Sequence, residues 1–417
     1  MNVKNYTRQN FVIRMIFFLT YAAGAAWLSY FNLFLRQYIG LTDGQIGIIS
    51  AVQQINTLLL LPFWGMIADR FGRKKILALN MILVIILFYG FIFQDAFISV
   101  LAFTYLFTLF YSPIVSLVDS IALDYIEQTG KSSYGSIRLW ASIGWAVSSI
   151  ITGYFVRPEK IYLIFPIASS ILLLNWLILK LIYHPLKFIK NLQSLKMKHV
   201  GEIILKDKRL AIILIIMFFY GIFSAPIHLF INVYYAEIGA AYYHVGYAYA
   251  IQALSEVPFF FFGKKIIEWT GSRRIIVITM LITSLRMFAY GITANPWIAI
   301  SIGIIHGISL ALFLVAFISY VHQFIPPQWR ATGQSFVYAF YFGGGMAFGN
   351  LWTGFVADHI GMSGAMIVEA TLTLVLVLIT LFVFGTIRRI SDRIEMKFND
   401  SNKSVTCQQK NGQNRHE

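Results

Sequence analysis

The chain has 417 residues, of which 58% are hydrophobic and only 12% are charged. The charged share is about half of that in an ordinary soluble domain. So much apolar surface excludes a soluble enzyme, a disordered protein and a secreted disulfide scaffold. The single cysteine, Cys407, also excludes a cysteine-based zinc site. Composition therefore indicates a helical protein that crosses a membrane many times, and the net charge of +15 has to be explained within that class.

Twelve apolar runs are long enough to cross a bilayer, since a transmembrane helix needs about 20 mostly apolar residues. All twelve are predicted to be helices, so the predicted fold class is an all-α membrane protein. In chain order the predicted spans are 11–36, 45–67, 76–94, 98–122, 137–156, 161–182, 210–235, 244–266, 275–294, 296–320, 332–357 and 363–386.

Basic residues are distributed unevenly between the loops on the two sides. Of the 33 Lys and Arg residues, 26 lie in the two tails and in the loops on the same side, whereas only Arg157 and Lys160 lie in the loops on the other side. Cytoplasmic loops carry such an excess. We therefore expect a multi-pass protein of the cell membrane, plasma or inner, with both termini in the cytoplasm. The net charge then reflects topology and not binding to nucleic acid.

The two sets of six spans are related by a weak internal repeat. A shift of 199 residues superposes Gly40 on Gly239, Gly47 on Gly246 and Gly72 on Gly271. The repeat predicts two pseudo-symmetric six-helix bundles, 1–182 and 210–386, joined by a cytoplasmic linker at 183–209. Transporters built from such repeats bind their substrate between the halves. The Asn-, Gln- and Lys-rich segment 387–417 is predicted to be a disordered cytoplasmic tail.

The loop between the second and third spans carries a distinctive motif, GMIADRFGRKK at residues 65–75. It resembles the signature loop of the major facilitator superfamily, which joins helices two and three on the cytoplasmic side. The resemblance implies the major facilitator fold and a pairing of Asp69 across the interface between the halves in the outward-facing state. It also implies a role in conformational change for Gly65, Asp69, Arg70, Gly72 and Arg73. Glycine allows close helix approach at position 65 and a tight turn at position 72.

Four charged residues lie inside apolar spans, where each costs about 2.5–3.5 kcal/mol on insertion scales. They are Asp119, Arg138, Glu256 and Arg286. Two acids and two bases can neutralise one another in a shared polar cavity, and ionisable residues within a membrane mark substrate or proton pathways. Structural pairing between helices is the alternative interpretation of each.

The fifth span has a polar face, because Arg138, Ser142 and Trp145 are spaced four and three residues apart. A charge, a hydroxyl and an indole on one stripe suit the wall of a cavity. The segment from Tyr134 to Trp145, together with Asp119, resembles the helix 4–5 region of lactose permease and the related phenylpropionate permeases. The resemblance implies that Asp119 and Arg138 bind substrate hydroxyls and that Trp145 stacks on the substrate, with Ser142 beside them.

The second half continues this resemblance at Arg286 and His306, whose counterparts in lactose permease belong to the proton-coupling network. Lactose permease carries its proton on a glutamate three residues after the histidine, and this chain has Ser309 there. The proton carrier is therefore predicted elsewhere. Glu256 on the eighth span is the first candidate, because a carboxyl group in an apolar site can alternate between its neutral and charged forms. His306 is the second.

These features predict a secondary transporter, a proton symporter for a small polar solute such as a sugar, oligosaccharide or nucleoside, working by alternating access. A permease for aromatic carboxylates such as phenylpropionate is an alternative, since Trp145 would stack on either kind of ring. A non-transporting membrane receptor on the same scaffold is the alternative of another class. We expect no enzyme activity, cofactor or metal, and a protein that acts as a monomer with protons, a small-molecule substrate and lipid as its partners. Import and export are both compatible with these residues.

Overall fold

The computed structural model of the protein describes residues 3–130, 132–182, 208–325, 334 and 337–413, with side chains from 8 to 385 except at 208–209. Nearly all of the predicted linker at 183–209 therefore lies outside the described residues, as does the start of the predicted eleventh span. Every element within the described ranges is helical. The structure thus confirms the all-α fold class.

Six spans make up the N-terminal half. They are α1 (Val3–Leu28, continued by Phe31–Leu33 and Phe34–Tyr38), α2 (Asp43–Phe71), α3 (Arg73–Gly90 with Phe91–Phe93), α4 (Phe97–Thr129), α5 (Tyr134–Phe155) and α6 (Pro158–Leu163 with Ile164–Leu179). Local sequence sets their ends. Thr42 and Gln45 form a reciprocal capping box at the start of α2. Gly72, with a φ of 100°, makes the turn from α2 to α3.

Six more spans make up the C-terminal half. They are α7 (Lys208–Phe223, Pro226–Leu229 and Ile231–Glu237), α8 (Tyr242–Thr270), α9 (Ser272–Ile292), α10 (Pro296–Ile302, Gly303–Ile305, Gly307–Leu312 and Phe313–Val321), α11 (Ala339–Gly345 and the start of Met346–Gln413) and α12 (the rest of Met346–Gln413). Gly361, with a φ of 75°, separates α11 from α12. The twelve predicted spans are thereby confirmed. The α12 backbone is helical to Gln413, and no proline interrupts that segment. The disordered cytoplasmic tail at 387–417 stays a prediction.

Among the residues that the structure describes, eight helical stretches are long and apolar enough to cross a membrane by length and composition, and Leu210–Phe223 in α7 is a shorter apolar helix. The helices α5 and α8 are not among the eight. Both contact each other across the two halves and carry intramembrane charges, Arg138 on α5 and Glu256 on α8. A helix that lines a polar cavity turns less of its surface to lipid, so it needs a narrower apolar stripe.

The predicted repeat is visible in the backbone. Gly40 and its counterpart Gly239 both adopt positive φ, at 81° and 74°. Gly72 and its counterpart Gly271 do the same, at 100° and 86°. Only glycine populates this region without strain, so the same turns recur in both halves. The structure therefore confirms two pseudo-symmetric bundles.

The two ends of the bundle differ in how the halves meet. The basic face is the end with the connections at Gly72, 130–133 and Gly271, and the opposite face is the end with the connections at 39–42, 156–157 and 238–241. Within the described residues, all hydrogen bonds between the halves lie towards the opposite face. They include Asn32 Nδ2 to the Leu229 carbonyl (2.6 Å), Asn232 Nδ2 to the Ser29 carbonyl (3.1 Å), and Thr42 Oγ1 and the Gly44 N–H to Asp358 Oδ2 (both 3.0 Å).

Core packing shows the same asymmetry. One buried cluster covers the whole N-terminal half and continues without interruption into the C-terminal half near the opposite face, at residues such as Ile231 and Val245. A second cluster, with Met217, Ile276 and Phe317, contains only C-terminal residues towards the basic face. Within the described residues, the halves therefore share one buried core at the opposite face, and no buried cluster joins them at the basic face. This is a conformation closed to one side of the membrane.

Glycines make the closure at the opposite face possible, which leads to a prediction for Gly47→Val. A Cβ at Gly47 of α2 would overlap the Asn350 carbonyl oxygen of α11, and one at Gly246 of α8 would lie 2.5 Å from the Ser149 carbonyl oxygen of α5. We expect Gly47→Val to shift the protein towards states that are open at the opposite face. In a Cys407→Ser background, the distance between spin labels at Tyr38→Cys and Ala241→Cys should lengthen.

Gly65→Val is the matched control, because it makes the same change on the same helix. A Cβ at Gly65 meets nothing within 4 Å in this conformation, so the distance between the labels should stay short. Equal label distances in the two variants would contradict the role assigned to Gly47.

Candidate central cavity

A cavity of about 230 Å³ lies between the halves at mid-height of the bundle. Its walls come from five helices, α1, α5, α7, α8 and α10. The polar and aromatic lining residues are Tyr21, Arg138, Ser142, Trp145, His228, Tyr249, Gln252, Glu256 and His306. Three of the four residues predicted to bind substrate and two of the three predicted to couple protons therefore line one space.

The polar face of α5 forms one wall, as its spacing predicts. Arg138, Ser142 and Trp145 all line the cavity. The Arg138 guanidinium lies 4.3 Å from the centroid of the Tyr21 ring, a cation–π contact that orients it. Within the described part of the chain, Arg138 makes no hydrogen bond and no salt bridge. Its donors are therefore directed at the cavity, where a solute can accept from them.

Asp119 on α4 stands apart from this wall. It accepts a hydrogen bond from the Tyr134 hydroxyl (3.0 Å) and lines neither the cavity nor its entrance. Tyr134 itself lines the entrance, a space of about 350 Å³ towards the basic face that it shares with Arg138, Phe261 and Tyr338. Asp119 can act on a solute here through its hydrogen bond to Tyr134 and through its charge on Arg138. Its direct binding of substrate stays a prediction.

The opposite wall carries a chain of three ionisable groups. Arg286 Nη1 donates to His306 Nδ1 (2.9 Å), and His306 Nε2 lies 3.0 Å from Glu256 Oε1. A guanidinium has only donors, so Nδ1 must accept. The single proton of a neutral imidazole then sits on Nε2, which donates to Glu256. Both hydrogen bonds of His306 form when its ring is neutral, because a second proton, on Nδ1, would break the bond from Arg286.

Arg286 is almost fully buried, with 1% of its surface exposed, and it does not line the cavity. It also donates to Ser309 Oγ (3.0 Å) and to the Tyr290 hydroxyl (3.4 Å). Ser309, the residue at the position of the permease glutamate, is thus a neutral acceptor for the guanidinium. Glu256 is consequently the acidic residue of this chain of contacts. It lines the cavity, whereas Arg286 lies on the side of His306 that is away from the cavity.

Sequence reasoning missed several lining residues. Tyr21 and Tyr249 are two of 23 tyrosines, and nothing in their local sequence distinguishes them from membrane-interface tyrosines. His228 had a weaker signal, since it lies four residues from both Ser224 and Asn232. Its Nε2 lies 3.2 Å from the Tyr341 hydroxyl, and its ring lies 5.6 Å from that of His306.

The motif loop lies at the basic face. Gly72 makes the expected turn, and Arg70 lies 5.3 Å from the Phe71 ring. Arg73 bridges Asp69 (3.3 Å) and Asp124 at the end of α4 (2.5 Å). Asp69 is therefore paired within its own half in this conformation. The pairing of Asp69 across the interface between the halves stays a prediction.

The second half repeats this contact without charge. Ser272, the counterpart of Arg73 at the start of α9, accepts a hydrogen bond from Gln323 Nε2 (3.1 Å). Gln323 stands 199 residues after Asp124. A contact between the start of one helix and the end of the next therefore occurs in both halves. In the N-terminal half it is an ion pair, and in the C-terminal half it is a hydrogen bond between neutral side chains.

Comparisons with known proteins agree with this architecture. Residues 11–368 match the model of the MFS_1 like family. A variant of the nucleoside transporter NupG has the same fold, with a TM-score of 0.82 at 17% identity over 90% of this chain and 99% of that one.

Three permeases are similar in sequence. Maltose permease of Geobacillus stearothermophilus is 25% identical over 374 residues, 89% of this chain and 93% of the relative. Lactose permease of Klebsiella oxytoca is 22% identical, over 86% and 90%. A probable 3-phenylpropionic acid transporter of Escherichia coli (strain K12) is 24% identical, over 83% and 90%. The resemblances seen in the motifs are thus confirmed, and the chain belongs to the MFS_1 like family, as a multi-pass membrane transporter of the major facilitator type.

Proposed function

We propose that the protein is a proton symporter of a small polar solute, a sugar or a nucleoside, that works by alternating access. The observation that carries the proposal is the composition of the central cavity, which sets hydrogen-bonding groups and an indole on α5 against a partly buried carboxyl group on α8. Its volume of about 230 Å³ lies below the range of about 300–1,000 Å³ that is usual for ligand sites. A compact solute suits it best.

Arg138, Ser142 and Trp145 are the proposed substrate contacts. A guanidinium forms charge-assisted hydrogen bonds to hydroxyl oxygens, and a hydroxyl side chain both donates and accepts. The Trp145 ring, 6.5 Å from that of Tyr249, offers an apolar face to one side of a sugar ring. Asp119 would contribute through the Tyr134 hydroxyl. The sequence relatives named for maltose and lactose support a hydroxylated solute.

Glu256 is the proposed proton carrier. It faces the cavity and is hydrogen-bonded to a histidine that Arg286 holds in one tautomer. A proton that enters from the basic face can neutralise Glu256 without disturbing the bond between Arg286 and His306. Arg286 and His306 would then act by orienting the carboxyl group and by stabilising its charged form after the proton has left.

Alternating access is proposed to proceed by rocking of the halves 1–182 and 210–386 about the linker at 183–209. The described conformation opens to the basic face, which the excess of Lys and Arg assigns to the cytoplasm. Closing that face would bring Gly65 into contact with the other half and release Asp69 from Arg73. The remaining motif residues, Arg70 and Gly72, would form the turn that moves. The protein would act as a monomer in the plasma or inner membrane, with both termini in the cytoplasm.

A carboxylate-bearing aromatic solute is the second candidate, and one observation favours it. Arg138 lines the cavity and forms no direct salt bridge among the described residues, although the charges of Asp119 and Glu256 act on it. An anionic solute could therefore form a direct ion pair with the guanidinium beside an indole. The relative named for 3-phenylpropionic acid belongs to this class.

Substrate-induced pH change in right-side-out vesicles tests the proposal. Sugars, nucleosides and phenylpropionate-like acids are added one class at a time to weakly buffered vesicles, and isotope uptake is followed in parallel. We expect one class to make the external medium alkaline, with the signal abolished by a protonophore. Isotope uptake without proton movement would refute symport. If no class moves, the same screen in inside-out vesicles examines export.

A further inference from the structure

A second group of buried polar side chains lies between α11 and α12, outside the central cavity. The four members, Asn350 and Thr353 on α11 and Glu369 and Thr373 on α12, are all 0% exposed. Thr353 Oγ1 donates to Glu369 Oε1 (2.7 Å). Within the described residues, Glu369 Oε2, both side-chain polar atoms of Asn350 and the Thr373 hydroxyl have no hydrogen-bond partner.

Among the described residues, no basic side chain is paired with the Glu369 carboxyl. The charged or titratable side chains on the helices packed around it, α2, α7, α9 and α11, are engaged or exposed elsewhere. Of the basic groups, Arg286 bonds to His306, His228 lies next to Tyr341, and His359 is exposed. Of the acids, Asp43 pairs with Arg36 (3.6 Å), and Asp358 accepts hydrogen bonds from Thr42 and Gly44. Glu237 accepts hydrogen bonds from the Met362 and Ser363 N–H groups. An ionised Glu369 would therefore be a fully buried charge with no basic partner, so the neutral acid is the form that this packing accommodates.

The face of α11 that covers this group is the face on which α2 of the other half closes. The Asn350 carbonyl lies against Gly47, and Gly354 lies against the Asp43 carbonyl. Only one helix thus separates Glu369 from the interface between the halves at the opposite face. When the halves part there, α2 leaves α11, and water reaches the far side of the helix that carries Asn350 and Thr353.

We propose that Glu369 is a second proton-binding site, which holds its proton while the opposite face is closed and exchanges it with that side when α2 leaves α11. The step is a simple ionisation: the O–H bond at Oε2 breaks, the proton passes to water, and the carboxylate takes a proton back before the face closes again. Its contribution to transport rests on the proposed proton symport, whereas the binding of a proton at Glu369 does not.

Infrared difference spectroscopy of the lipid-reconstituted protein tests the site without any substrate. The spectrum of the wild type minus that of Glu369→Gln should contain the C=O stretch of a protonated carboxylic acid at neutral pH. Glutamine matches the shape of the neutral acid, so folding should be retained. Thr353→Val provides a second assignment, because the loss of the hydroxyl donor to Oε1 should shift the same band without removing it.

Exchange with water tests the coupling to the conformation. The variant Gly47→Val is used once its longer spin-label distance has shown that the opposite face is open. After transfer to D₂O, we expect the Glu369 band to shift at least tenfold faster in Gly47→Val than in the wild type, with Gly65→Val as the control. A spectrum with carboxylate bands alone would overturn the site. A carboxylic acid band with equal exchange rates in all three proteins would overturn the exchange and leave a permanent structural proton. Both results are independent of whether the wild type shows proton symport.

Discussion

Replacing Arg138 with glutamine is expected to raise the solute concentration needed for half-maximal uptake roughly 10- to 100-fold. A hydrogen bond to a charged group contributes about 1.5–3 kcal/mol, and each 1.4 kcal/mol corresponds to about a tenfold change in affinity. Within the described residues Arg138 forms no direct salt bridge, and Asp119 and Glu256, on which its charge acts, keep their hydrogen bonds to Tyr134 and His306 when it is removed. Folding should therefore be preserved, and the loss should be confined to binding, measured by concentration-dependent uptake or exchange.

Three further variants test whether the loss of affinity comes from the Arg138 guanidinium itself. Ser142→Ala on the same face removes a neutral partner and should cost only about 2- to 10-fold in affinity. Arg138→Lys keeps the charge but loses the planar fork and the stacking on Tyr21, so it should fall between the two. Arg274→Gln makes the same change at an exposed position of the basic face and should have no effect. An unchanged half-saturating concentration in Arg138→Gln would contradict the proposal that Arg138 on α5 binds the solute.

The second large effect is expected for Glu256→Gln, which should abolish proton-driven accumulation while preserving exchange of internal for external solute. Glutamine imitates the neutral carboxyl group and keeps a hydrogen-bonding partner for His306. The variant can therefore bind solute and reorient when loaded, but it cannot release a proton, so the empty return step stops. Uptake against a gradient and solute-induced alkalinisation should both fall to background, whereas the exchange rate stays within about threefold of the wild type.

Glu268→Gln is the matched control for this experiment. It makes the same substitution on the same helix, at a side chain that is 60% exposed. The nearest ion-pair partner of Glu268 is Lys264, at the long distance of 3.9 Å. It should accumulate solute normally. If Glu256→Gln still coupled protons at the wild-type rate, the carrier would have to be another group, and Glu369 would become the first to examine. Loss of exchange together with accumulation would instead make Glu256 a binding residue.

Much of the architecture was predictable because its causes are local. A run of about 20 apolar residues identifies a span wherever it occurs, and a helical period of 3.6 residues places Arg138, Ser142 and Trp145 on one face without any knowledge of neighbours. The glycine repeat was also readable, since Gly72 and Gly271 occupy turns whose positive φ excludes most other residues. These properties do not depend on how the helices are arranged.

Contacts between distant helices were not predictable in the same way. Asp119 and Arg138 suggested an acid and a base sharing one cavity, yet Asp119 bonds to Tyr134 while Arg138 faces the cavity. Asp124 gave the weaker signal of a residue at a span end, and it forms the close ion pair with Arg73. A side chain's partner depends on the rotation and tilt of two helices, which their individual patterns leave open.

By itself, the amino-acid sequence determined the number of spans, the relation between the halves, the polar face of α5 and the motif at the basic face, because each follows from periodicity, composition or backbone conformation within one segment. Tertiary structure alone decided that Arg286, His306 and Glu256 form one chain of contacts, that Glu369 lies beneath the closing face of α11, and that the described residues of the two halves share a buried core towards the opposite face. The physical reason is that these features depend on burial and on distances between segments far apart in the chain, and a conformational state belongs to the whole molecule.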